Sequence, residues 1–72
     1  MADLNAKQFE TLALLLRSAG PTKEAARLVL VEGKTVTEAV AATGALQPNV
    51  SRSVARFREK HRLIAEGYDL TI

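Results

Sequence analysis

The chain has no cysteine, a single histidine and no long apolar run. Without cysteine there is no disulfide to constrain the unfolded state and no thiolate to bind zinc. One histidine also argues against a metal centre, so neither a metal nor another cofactor is expected. The longest apolar run, Leu12–Leu16, falls far short of the roughly 20 residues that cross a bilayer. Asp3 and Asn5 interrupt the N-terminus, so no apolar stretch follows a basic start and no signal peptide is expected. The chain reads as soluble, cytoplasmic and without a membrane partner. Catalysis is poorly served too. There is no phosphate-binding glycine loop, no dinucleotide fingerprint, no carboxylate pair with a pocket, and little room for a cleft or a small-molecule ligand. The expectation is that the protein is not an enzyme.

What is present is a small, apolar-rich domain. Hydrophobic residues make up 47% of 72, too many for a disordered chain. A domain of this size buries only about 60% of its unfolded surface, so extra stability from a partner, most simply a homodimer, is expected. The net charge is only +2, but its placement is uneven. Arg52, Arg56, Arg58, Lys60 and Arg62 hold five of the ten basic residues, opposed locally only by Glu59. Asp3, Glu10, Glu24, Glu32 and Glu38 all precede them. A concentrated basic end fits phosphate binding by one face. A solvated helix end complementing the helix dipole is the plainer alternative.

Residues 35–57 organise the chain. Thr35 and Glu38 have capping-box spacing, and Val36, Ala39 and Val40 recur at helical spacing. Gly44 can end this helix in a left-handed conformation. Leu46 is expected to enter the core from the turn, and Pro48 suits the first position of the next helix. Val50, Val54 and Phe57 continue as one apolar stripe. A glycine turn between two such helices, with a valine six residues after the glycine, is helix-turn-helix spacing. The outer face of the second helix carries Gln47, Asn49, Ser51, Arg52 and Arg56. Arginine pairs with guanine and asparagine or glutamine with adenine, so these are the candidate base-reading residues. Lys34, Arg58, Lys60 and Arg62 are the candidate phosphate contacts. An ordinary helical hairpin with a polar outer face is the competing reading.

Elsewhere, Asn5 and Gln8 predict a capped first helix over about Ala6–Ser18, with Phe9, Leu12, Ala13 and Leu16 inward. Leu14 and Leu15 fall outside that stripe, to pack on the next helix or to self-associate. Ala19-Gly20-Pro21 reads as a stop and turn. Thr22 is expected to cap a second helix over about Lys23–Glu32, with Ala26, Val29 and Leu30 inward. The last helix should run from Pro48 to near His61, a surface side chain, with Leu63 and Ile64 closing the core from below. Gly67 ends it. Tyr68, Asp69, Leu70, Thr71 and Ile72 alternate with period two in strand-favouring residues. A lone strand needs a partner, so Tyr68, Leu70 and Ile72 are candidate dimerisation residues, pairing antiparallel with a second copy. A frayed tail is the equal alternative.

The order and spacing of Leu4, Gln8-Phe9, Ala26-Arg27, Val29-Leu30-Val31, Gly33-Lys34, Gly44, Val50-Ser51, Val54, Arg56 and Glu66-Gly67-Tyr68 resemble the KorA/TrfB-like transcriptional repressors of conjugative plasmids. The resemblance covers nearly the whole chain. It implies an all-α fold, a bacterial protein on plasmid DNA, and a homodimer that represses promoters from palindromic operators. By position it carries base reading to Gln47, Arg52 and Arg56. Gln47 stands where an arginine would be expected, Arg52 where a glutamine would be, and Pro48 replaces a glycine. A different operator is therefore expected. Longer members continue beyond Tyr68 into a dimerisation segment, which leaves the mode of dimerisation here open. The combined expectation is a small all-α helix-turn-helix domain of about four to five helices over 1–67, with a short strand or tail over 68–72. Its expected function is sequence-specific repression through double-stranded DNA. A small helical protein-interaction module, adaptor or antitoxin-like, is the alternative.

Overall fold

A computed structural model of the chain describes residues 4–67. It consists of α1 (Ala6–Leu16), α2 (Gly20–Leu30), α3 (Val36–Thr43) and α4 (Gln47–Gly67). The fold is an all-α small domain, as expected. The 68–72 segment, with Tyr68, Leu70 and Ile72, lies outside the described residues.

Local chemistry sets most of the boundaries. The Asn5 carboxamide accepts from the Gln8 N–H at 2.8 Å, while the Asn5 N–H donates to Gln8 Oε1 at 3.0 Å. Thr35 and Glu38 make the same reciprocal pair at α3, at 3.1 and 2.9 Å. Gly44 ends α3 at φ 75, with its N–H on the Val40 carbonyl. All three follow the sequence reading.

The α1–α2 turn does not. α1 stops at Leu16 because Arg17 enters the left-handed region at φ 54, the only non-glycine residue to do so among those described. The Ser18 N–H then reaches back to the Ala13 carbonyl at 2.9 Å and closes the helix end. α2 starts at Gly20, with no side-chain cap on Ala19. Pro21 supplies the fixed φ of a first helical turn, so Thr22 lies inside the helix and does not cap it. α2 also ends at Leu30, two residues earlier than expected, where Gly33 at φ 75 turns the chain and the Lys34 N–H bonds to the Leu28 carbonyl.

α2 and α4 each pack on the other three helices. Phe9, Leu12, Ala26, Leu30, Ala39, Val50, Val54 and Phe57 are all buried in one cluster. The rings of Phe9 and Phe57 stack at 4.7 Å and tie α1 to α4. Leu4 is buried too, and its N–H docks on the Leu30 carbonyl at 2.9 Å. Ala39, fully buried, lets α3 and its neighbours approach closely.

Two leucines depart from expectation. Leu46 is 67% exposed, and the preceding Ala45 fills the core position in the turn. Leu63 is half exposed, while Ile64 packs on the core. Ile64 follows Phe57 by seven residues, close to two full turns, and Leu63 is rotated about 100° away. α4 continues well past His61. Arg62 binds Glu59 and Glu66 along the outer surface, which supports the extra turns. His61 is half-buried beside Leu12 and Ile64. Among the described residues no helix is long and apolar enough to cross a membrane.

Candidate nucleic-acid interface

α4 presents two unlike faces. Val50, Val54 and Phe57 are buried, which fixes the rotation of the helix about its axis. Asn49, Arg52 and Arg56 then fall together on one flank, at spacings of three and four residues. Asn49 Oδ1 accepts from Arg52 Nη2 at 2.9 Å, so each side chain restrains the other. Restraint of this kind lowers the entropy lost when a flexible arginine binds.

This flank of α4 faces the α1–α2 turn across a cleft of about 360 Å³. Arg17, Ser18 and Thr22 line one side, and Asn49, Arg52 and Arg56 the other. Gln47 and Ser51, the other two candidate base readers, do not line it. Both are exposed and lie about 160–200° around the helix from Asn49, on the opposite flank. The five candidates therefore divide into two groups on either side of the helix's outermost line.

The phosphate candidates are more dispersed. Lys34 sits in the α2–α3 connection, near Glu38. Arg58 is exposed on α4, and Lys60 is half-buried between Leu16 and Leu63. Arg62 hydrogen-bonds to Glu59 at 2.6 Å and to Glu66 at 3.0 Å. Its guanidinium holds Glu59 below the usual carboxylate range. Much of its charge is answered within the protein. Arg27 is similarly engaged by Glu24 and Glu32, and Lys23 by Glu10. By contrast, Arg17, Arg52 and Arg56 make no ion pair among the described residues.

The α1–α2 wall of the cleft was not visible in the sequence. A lone arginine at a helix C-terminus reads as dipole complement. Nothing in the periodicity places it beside a residue 35 positions later. The arrangement as a whole offers guanidiniums, hydroxyls and carboxamides on a convex helix and an adjacent cleft. These are donors suited to phosphate oxygens and base edges. No curated protein and no solved structure matches the chain. The profile of one family, described as the TrfB plasmid transcriptional repressor, matches residues 4–71. Nearly the whole chain is covered, so the protein belongs to the TrfB family of plasmid transcriptional repressors.

Proposed function

We propose that the protein is a sequence-specific DNA-binding repressor acting as a homodimer on palindromic operators in plasmid promoters. The observation that carries this reading is the outer surface of α4. Its inner face is locked in the core, and its outer surface leaves Asn49, Arg52 and Arg56 without a carboxylate partner among the described residues. Two recognition helices about 34 Å apart would enter successive major grooves. Asn49, Arg52 and Arg56 sample base edges from one flank, and Gln47 and Ser51 from the other. Lys34, Arg58 and Lys60 contact phosphate and set the register, with Arg62 a weaker contributor because Glu59 and Glu66 compete for it. Occupying promoter DNA excludes polymerase.

The test is binding to random duplex and to a selected duplex pool across a salt series. Affinity should fall steeply with salt, and selection should converge on a two-fold symmetric site. Arg52→Ala should cost about 1–3 kcal/mol on the selected site and relax one base position. Lys60→Ala should weaken both duplexes alike and lower the salt slope. Identical behaviour of the two variants on both duplexes would refute this division of roles. An absence of binding at low salt would favour the protein-interaction reading, for which the exposed pair Leu14 and Leu15 is the surface at hand.

A further inference from the structure

We propose that Arg17 grips a phosphate of the DNA backbone, and that the α1–α2 turn is the second wall of the interface built on α4. This rests on the DNA-binding reading above and adds a site to it. Three observations meet at Arg17. Its backbone is left-handed, at φ 54. Glycine would close the helix end without a clash, so the guanidinium is what arginine adds there. It lines the same 360 Å³ cleft as Arg52 and Arg56. No carboxylate lines that cleft, and none pairs with Arg17 among the described residues.

Three guanidiniums around a cleft free of carboxylates form a local excess of donors and positive charge. The planar fork of arginine matches phosphate oxygens. The hydroxyls of Ser18 and Thr22 add further donors on the same wall. A helix seated in a major groove is flanked by phosphate backbones, and the cleft lies on the flank of α4 that carries Asn49 and Arg56. A phosphodiester oxygen in the cleft would therefore sit beside the bases that flank reads.

The full chain and its R17Q, R17K and R17G variants would be titrated with random and selected duplex across the salt series. R17Q should lower affinity by the same factor on both duplexes, roughly threefold to tenfold, and reduce the salt slope by about 0.9. R17K should keep most of the slope. R17G should bind like R17Q while its Tm rises by about 4–8 °C, which shows that the fold is intact and relieved of strain. Unchanged binding by R17Q and R17G, alongside lost discrimination in Arg52→Ala, would overturn this proposal and leave the DNA reading standing. Failure of the unaltered chain to bind either duplex would overturn both. Inorganic phosphate at matched ionic strength is the remaining arm. If it stabilises the unaltered chain but not R17Q, while DNA binding is the same in both, the cleft takes free anions and the assignment to DNA falls.

Discussion

Leu46 occupies a position where a helix favours a short polar side chain. Its carbonyl accepts the Val50 N–H at 3.0 Å, the first backbone bond of α4, yet its side chain offers no acceptor to the free N–H groups that follow. It is also 67% exposed. Leu46→Ser should therefore stabilise the protein by about 0.5–2 kcal/mol, seen as a higher thermal midpoint. A loss of stability would mean that the covered third of Leu46 contributes more than the missing cap. The misreading of this leucine has a simple cause. Hydrophobicity marks residues for the interior, but a turn of three residues lets only one face inward. The smaller Ala45 takes that place, 7% exposed, because the Thr43 hydroxyl bonds its N–H at 3.2 Å and sets the direction of the chain. Arg17 illustrates the other limit. Its left-handed backbone follows from closing α1 with two local backbone bonds, Arg17 N–H to the Leu14 carbonyl and Ser18 N–H to the Ala13 carbonyl, a choice that composition does not announce.

At the scale of the element, the helices most readable in advance are those with a side-chain cap. α1 and α3 begin where Asn5 and Thr35 indicated, and both apolar stripes face inward as their spacing required. Side-chain signals misplace α2 at both ends, because its start is set by backbone geometry at Gly20 and Pro21 and its end by the turn at Gly33. α4 extends beyond His61 because its last turns depend on the Arg62 ion pairs and on Ile64 reaching the core, neither of which is a boundary signal. The caps also predict an acid response. Bonds from the Thr35 backbone and hydroxyl hold the Glu38 carboxyl below its ordinary value of 4.5. The bond from Arg27 does the same for Glu24, and the bond from Arg62 for Glu59. A carboxyl whose pKa is lower in the folded state adds stability above its unfolded value, and that contribution is lost as the pH falls through the folded value. The midpoint should thus drop on acidification below the carboxylate range. Glutamine also satisfies a capping box but does not titrate. Glu38→Gln should therefore narrow the difference between midpoints measured at neutral and acidic pH. An unchanged difference would mean that Glu38 titrates alike in the folded and unfolded chains.

At the scale of the whole molecule, the described core closes without residues 68–72. Phe9 on Phe57, and Leu4 on the end of α2, join the N-terminal segment to both later helices. Removal of the last five residues should leave the monomer fold intact. If Tyr68, Leu70 and Ile72 pair across a two-fold axis, that truncation should convert a dimer to a monomer in sedimentation, while Leu14→Ser with Leu15→Ser should remain dimeric. The reverse result would place the interface on α1, where these leucines are 81% and 60% exposed. Under the proposed dimer, the location of the interface would constrain how far apart two copies of α4 lie and so the half-site separation on DNA.

α4 is also a shaft. It runs from Gln47 to Gly67 over 21 residues, with the flank of Asn49, Arg52 and Arg56 in its first half. Each residue of helix adds about 100° of rotation and about 1.5 Å of length. Residues at the far end of α4, such as Leu63 and Glu66, are therefore held at a set azimuth to Asn49 and Arg52. One inserted residue in the second half of α4 would swing the two ends out of phase by more than a quarter turn. Three or four would nearly restore it, at the cost of one pitch of added reach. Length changes in this half of the helix are thus tolerated in near-whole turns wherever the two ends must keep their alignment.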